Sequence, residues 1–140
     1  MQLHFVEISS MPPEISIVVP TYNESGNIGN LLQTVSKTLE GYDYEIIIVD
    51  DNSPDRTAEL VRKITCVDNR IRLLVRSGKL GLGSAILEGF GMAKGNYFLM
   101  IDADLSHRSE DIKRLIDNRR GADIVIGSRY IKGGKIVGWP

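Results

Sequence analysis

The chain has 140 residues, 17 Lys and Arg against 18 Asp and Glu for a formal net charge of −1, and 42% apolar residues. That length holds one domain with its own core, and so balanced a charge gives no electrostatic case for nucleic acid, which selects basic domains. The single Cys66 excludes an internal disulfide and any cysteine-based zinc site, no apolar run approaches the ~20 residues that span a bilayer, and Met1–Glu14 lacks the basic start and apolar block of a signal peptide.

Residues 1–13 are expected to be an N-terminal extension, with the domain over 14–140. Ile15-Ser16-Ile17-Val18-Val19 is a β-branched run closed by Pro20, which predicts the first strand. Ile28, Leu31, Leu32, Val35 and Leu39 follow at helical spacing, and Gly41 ends that helix. Glu45-Ile46-Ile47-Ile48-Val49 is apolar enough for a strand buried on both faces. A helix is predicted from Thr57 to Ile64, with Leu60, Val61 and Ile64 facing inward and Cys66 a small apolar residue near its end. Ile71 to Val75 is the third strand. Leu82 to Lys94 is the third helix, with Leu82, Ile86, Gly89, Phe90 and Ala93 on its inner face, and Gly95 stops it. Tyr97 to Ile101 is the fourth strand. Ser109 caps a helix carrying Ile112, Leu115 and Ile116. Asp123-Ile124-Val125-Ile126 predicts a fifth strand. The tail Ile131–Pro140 has no element of its own, and the chain reads as a piece truncated on its C-terminal side. Unbroken alternation of strand and helix predicts an α/β domain, a mainly parallel sheet with helices on both faces.

Ligands of such sheets bind outside the carboxyl ends of the strands, and the polar residues of this chain gather there. The first strand is followed by Pro20-Thr21-Tyr22-Asn23-Glu24, the second by Asp50-Asp51-Asn52-Ser53-Pro54-Asp55 and the third by Arg76-Ser77-Gly78-Lys79. The fourth is followed by Asp102-Ala103-Asp104-Leu105-Ser106-His107 and the fifth by Ser128-Arg129-Tyr130. The opposite ends show little beyond Gly, Tyr and turn residues. Asp102 and Asp104, spaced i, i+2, put two carboxylates on one side of an extended backbone. Their mutual repulsion is relieved by a hard divalent cation, which they can hold against a diphosphate. Tyr22 can lie flat against a base, Glu24 or Asp51 can accept from a base N–H or a ribose hydroxyl, and the Arg129 fork suits phosphate. Against these stand plainer roles: Asn23 or Ser25 as a helix cap, Asp55 as a helix-start residue, and two solvated acids opening a loop. Gly81-Leu82-Gly83 is only a weak dinucleotide fingerprint, because its third glycine is missing and close helix–sheet packing explains the glycines equally well. His107 stands next to the acidic pair and can either reach it or, beside Arg108 in a polar setting, be a plain surface-loop residue. Arg129, Lys132 and Lys135 form a small basic cluster, either a solvated loop or a contact for an anionic acceptor or lipid headgroup.

Val19-Pro20-Thr21-Tyr22-Asn23-Glu24, Val49 to Asp55, Lys79 to Ala85, Asp102 to His107 and Gly121 to Tyr130, in this order, resemble the dolichyl-phosphate mannose synthase (polyprenyl-phosphate mannosyltransferase) branch of family 2 glycosyltransferases. The resemblance runs from about Glu14 to Trp139. It implies the GT-A (nucleotide-diphospho-sugar transferase) fold, a Rossmann-like arrangement, and inverting, metal-dependent transfer of mannose from GDP-mannose to dolichyl or polyprenyl phosphate. By this resemblance Pro20, Tyr22, Glu24, Val49 and Asp51 would hold the nucleoside, and Asp102, Ala103 and Asp104 the ribose and diphosphate. Asp102, Asp104 and Ser106 would face Mg²⁺ or Mn²⁺, and Arg129 would bind phosphate, so that Asp102, Asp104 and Arg129 carry catalysis. The implied setting is the cytoplasmic face of a membrane, with no nucleic acid as partner. A phosphate monoester acceptor is already ionised near neutral pH and needs no general base to attack the sugar.

Three other readings stay open on the sequence. The same fold could use UDP-glucose or another donor. A phosphoreceiver domain would share the acidic cluster at Asp50-Asp51, but needs its acids after strands one and three. A non-catalytic nucleotide-sugar-binding fragment would keep the crevice and lose the transfer.

Overall fold

In the computed structural model, which describes residues 11–128 and 130–134, four strands pair in parallel. They are β1 (Ile15–Thr21), β2 (Tyr44–Asp50), β3 (Ile71–Val75) and β4 (Tyr97–Met100), ordered β3-β2-β1-β4 across the sheet. The intervening helices are α1 (Ile28–Thr38), α2 (Thr57–Thr65), α3 (Leu82–Met92) and α4 (Ser109–Asp117). Every residue of β2 is buried, as expected of a central strand rich in isoleucine.

Alternation along the strands divides the core in two. Ile15, Ile17 and Val19 of β1 with Ile46 and Ile48 of β2 pack beneath Leu31 and Val35 of α1, Val61 of α2 and Ile112 and Ile116 of α4. Val18, Ile47 and Val49 point the other way, against Ala85 and Phe90 of α3. Helices therefore lie on both faces, and the crossover from β3 back to β4 carries α3 across the second face. The order in which strands are added reverses at β1, with β2 and β3 on one side of it and β4 on the other, which makes the carboxyl ends of β1 and β4 the switch point of the sheet.

α3 lies close to the sheet because of Gly89, where a Cβ would collide with Val18 Cγ1 and stand 3.2 Å from Val49 Cγ2. Gly81 instead turns the chain at φ +99°, and Gly83 faces open space. The glycines of that segment thus serve separate ends, and close packing accounts for Gly89 alone.

Several sequence expectations are corrected. Asp123–Ile126 forms no strand, and Ile124 and Ile126 are each 78% exposed. β propensity needs a neighbouring ladder, and none pairs with this run among the described residues. Leu60 and Leu82 are exposed where an inner face was expected, whereas Val61, Ala85 and Gly89 are buried. Ser109 opens α4, and Arg108 rather than Ser109 occupies its cap position. Neither Asn23 nor Ser25 caps α1, whose cap is Asn27. Cys66 ends α2 exposed, its thiol donating to the Arg62 carbonyl at 3.3 Å. Most of the expected N-terminal extension, together with Arg129, Lys135 and the end of the tail, lies outside the described residues.

The amino end of the sheet is not featureless. Glu45, buried at 6% exposure, accepts from Ser16 Oγ and Lys94 N–H at 2.7 Å each and from Arg72 Nη1 at 3.0 Å. Burial opposes its ionisation, but these donors outweigh burial and hold its pKa below the ordinary range. The network clamps the turn into β4, where Gly95 lies so close that a Cβ would stand 2.7 Å from the Ser16 nitrogen.

Candidate nucleotide and metal site

Pro20 opens the crevice. Thr21 O accepts from Asp51 N–H on the β2 side at 3.0 Å, and Val18 O accepts from Ile101 N–H on the β4 side at 3.2 Å. Alternation then directs Pro20 toward β4, where it has no N–H to donate. The β1–β4 ladder ends at Val18 and Met100, while β1 continues beside β2 to Thr21 and Asp50. The proline thus does not close β1, as the sequence suggested. It ends one of its two ladders, and the chain segments leading to Tyr22 and to Asp102 part at that point.

The loops after β1 and β2 are stitched together. Asp50, fully buried, accepts from Thr21 Oγ1 at 3.0 Å and from the Ser53 N–H and hydroxyl at 2.9 and 2.5 Å. Ser53 Oγ accepts from Asn23 N–H at 3.0 Å. Asp55 accepts from Ser25 N–H at 2.9 Å and from the Thr57 N–H and hydroxyl at 3.1 and 2.6 Å. Burial opposes its charge, yet Thr57 and Ser25 outweigh burial and bring its pKa to about 2. Asn23 and Asn52 take φ +60° and +57° in these turns, a conformation asparagine tolerates better than most residues. Tyr22 is left exposed at the rim, and Glu24 is held by Asn27 Nδ2 at 2.9 Å.

Asp51 is an internal anchor. Arg76 Nε donates to its Oδ1 at 2.5 Å and Nη2 closes on the same oxygen, while Leu80 and Gly81 N–H groups reach Oδ2 at 3.0 and 3.1 Å. Four contacts fill the accepting capacity of a carboxylate, so a base or ribose could be received here only by displacing one of them. Arg76 also donates to Ser84 Oγ at 2.6 Å, Gly81 O at 2.9 Å and Glu88 at 3.3 Å. Burial alone would weaken its charge, but Asp51 and Glu88 overcome that and raise its pKa. The sequence alone puts Arg76 at this end of the sheet without pointing to a role for it. The available signal was an arginine ending an apolar strand at the same end as Asp50-Asp51.

After β4, Ala103 is buried at 3% exposure while Asp104 is exposed and Asp102 half-buried, so both acids are presented outward as the i, i+2 spacing predicts. Leu105 takes φ +62°, a strained conformation for leucine and one that clusters at functional sites. It folds the chain back so that Ser106 N–H donates to Asp104 Oδ1 at 2.9 Å. The Ser106 side chain and N–H hold the Asp104 pKa below its ordinary value. His107 Nε2 lies 3.5 Å from Asp102 Oδ2, and this buried nitrogen has no hydrogen-bond partner among the described residues.

This donor set fits a hard divalent cation shared with a ligand. Asp102, Asp104 and Ser106 offer oxygen only. Among the described residues no three His, Cys, Asp or Glu side chains converge as a self-sufficient cage. Mg²⁺ and ions like it are commonly held by one or two carboxylates and complete their shell from substrate phosphates. The side chains of Val49 and Ala103, in contrast, are spent in the core, which leaves only their backbones to a ligand.

A parallel sheet with carboxylates at its switch point is the architecture of nucleotide-binding α/β domains. Residues 16–140 match the model of glycosyl transferase family 2, and the chain belongs to that family. It is 43% identical over 128 residues to the dolichol-phosphate mannosyltransferase of Pyrococcus furiosus, a match covering 91% of this chain and 36% of the relative. It is 40% identical over 129 residues to the polyprenol monophosphomannose synthase of Mycolicibacterium smegmatis, covering 89% and 48%. The chain thus spans between about a third and about half the length of these curated relatives. Among solved structures, the mannosyltransferase PcManGT from Pyrobaculum calidifontis, in complex with GDP-Man and Mn²⁺, superposes with a TM-score of 0.64 at 24% identity over 76% of this chain and 32% of that one. The fold is the expected GT-A arrangement.

Proposed function

We propose that this domain binds the donor half of a metal-dependent, inverting mannosyl transfer from GDP-mannose to a dolichyl or polyprenyl phosphate. The carrying observation is the pair Asp102 and Asp104, presented at the switch point where Pro20 ends the β1–β4 ladder. Relatives named for polyprenol mannosyl transfer and a neighbour in complex with GDP-Man and Mn²⁺ support the donor, the acceptor class and the cation.

Asp102, Asp104 and the Ser106 hydroxyl would hold Mg²⁺ or Mn²⁺, whose charge offsets what develops on a departing diphosphate. Tyr22 offers its exposed ring to the base, and Glu24 an acceptor beside it. Asp51 acts through Arg76 and the 80–81 backbone, shaping the crevice wall. Arg129 keeps its sequence-based assignment to phosphate. An ionised phosphate acceptor spares the site a general base, so positioning and electrostatics do the remaining work. A lipid-linked acceptor brings the site to a membrane surface, and among the described residues no helix is long and apolar enough to cross one.

Calorimetric titration with GDP, UDP and ADP, each with and without Mn²⁺, tests this reading. Tight binding of GDP alone, dependent on Mn²⁺, supports it. Preference for UDP moves the function to another donor, and no binding of any nucleotide rejects the crevice.

A further inference from the structure

Lys79 stands at the crevice with no part in the function proposed above. Its Nζ lies 4.2 Å from the centroid of the Tyr22 ring. None of the ion pairs among the described residues includes it. Its backbone is bracketed: Arg76 N–H donates to Asp50 O at 2.8 Å on one side, and Leu80 and Gly81 donate to Asp51 on the other. The attachment point is therefore fixed beside Tyr22, and only the flexible stem moves.

An ammonium can only donate hydrogen bonds. A base stacking on Tyr22 takes the ring face that the ammonium now covers and displaces it to the edge of the base. Guanine presents two acceptors there, O6 and N7, whereas adenine presents a donor beside its N7. Resting on the reading of this crevice as a nucleoside diphosphate site, we infer that Lys79 is a specificity-determining residue: it donates to the O6/N7 edge of a guanine stacked on Tyr22 and so selects guanine over adenine. Loss of the resting contact with Tyr22 affects every base alike, so the ratio of affinities isolates the edge contact.

The test is titration of the wild type and Lys79→Met with GDP, IDP and ADP in the presence of Mn²⁺, with circular dichroism confirming the fold. IDP keeps O6 and N7. The substitution is expected to lower the GDP-to-ADP and IDP-to-ADP affinity ratios about tenfold, while Lys79→Arg retains the preference. Equal loss for all three would make Lys79 a phosphate contact and overturn the inference, as would unchanged affinities. Failure of the wild type to bind any of the three rejects the nucleotide site itself. Mn²⁺-dependent GDP binding with an unaltered GDP-to-ADP ratio in Lys79→Met rejects the role of Lys79 alone.

Discussion

Asp51 and Arg76 form a buried ion pair that fastens the carboxyl end of β2 to that of β3, and the Leu80 and Gly81 N–H groups ahead of α3 bond to the same Asp51. Replacing one partner leaves a buried charge uncompensated, which costs about 3–5 kcal/mol. Arg76→Met is predicted to lose about that much stability in urea denaturation. Asp51→Asn combined with Arg76→Met should lose less than the sum of the two single changes, with a coupling of about 1–3 kcal/mol. Strict additivity would mean that the pair does not act as a unit.

Gly89 sets the distance between α3 and the sheet. An added methyl meets Val18 Cγ1 and Cγ2 and Val49 Cγ2, and a β-branched side chain in a packed core has little freedom to yield. Overpacking of this kind costs about 1–3 kcal/mol, against a gain of up to ~1 kcal/mol from alanine's helix propensity. Gly89→Ala is therefore expected to lower the urea midpoint. Adding Val18→Ala makes room, and the double variant should lose less than the two changes summed. A stabilised Gly89→Ala would show that α3 can lift off the sheet without penalty.

What the sequence made legible follows from what is local. β1 to β4 were readable because β-branched runs of strand length sit between turn residues, and the strand-end acids were readable because position in an α/β sheet implies a shared end. Asp123–Ile126 has the same local signature and forms no strand, since a ladder depends on a partner distant in sequence. Leu60 and Leu82 satisfied the helical period, yet which face meets the sheet is set by the crossover. The Asp51–Arg76 pair and the Ser16–Glu45–Arg72 network join residues 25 to 29 positions apart, and their pairing appears only once the strands are in register. His107 beside Asp102 was within sequence reach, and the structure brings the two to 3.5 Å.

Asp55 links stability to pH. Its folded pKa is depressed to about 2, so its contribution is fully present above the unfolded carboxylate pKa and is lost as pH falls through the folded value. Wild type is predicted to exceed Asp55→Asn by about 1 kcal/mol near neutral pH, because solvent screens this partly exposed carboxylate and reduces what the full shift would give. By pH 3 about half of that difference should remain. Urea midpoints of both proteins across pH 3–7 read this directly. A gap that stays constant over the range would show that Asp55 acts through packing rather than charge.

In the proposed function the carboxylates at the β1–β4 switch point hold a divalent cation against a nucleoside diphosphate. Asp104 is exposed, and its Oδ1 takes the Ser106 N–H, so Asp104→Ala should leave thermal unfolding nearly unchanged. The decisive measurement is calorimetric titration of wild type and Asp104→Ala with GDP, each with and without Mn²⁺. Mn²⁺ is expected to strengthen GDP binding to the wild type at least tenfold, on the order expected for a charge-assisted contact, and Asp104→Ala to abolish this enhancement. Mn²⁺-dependent GDP binding of equal strength in both proteins would place the cation elsewhere and contradict the assignment.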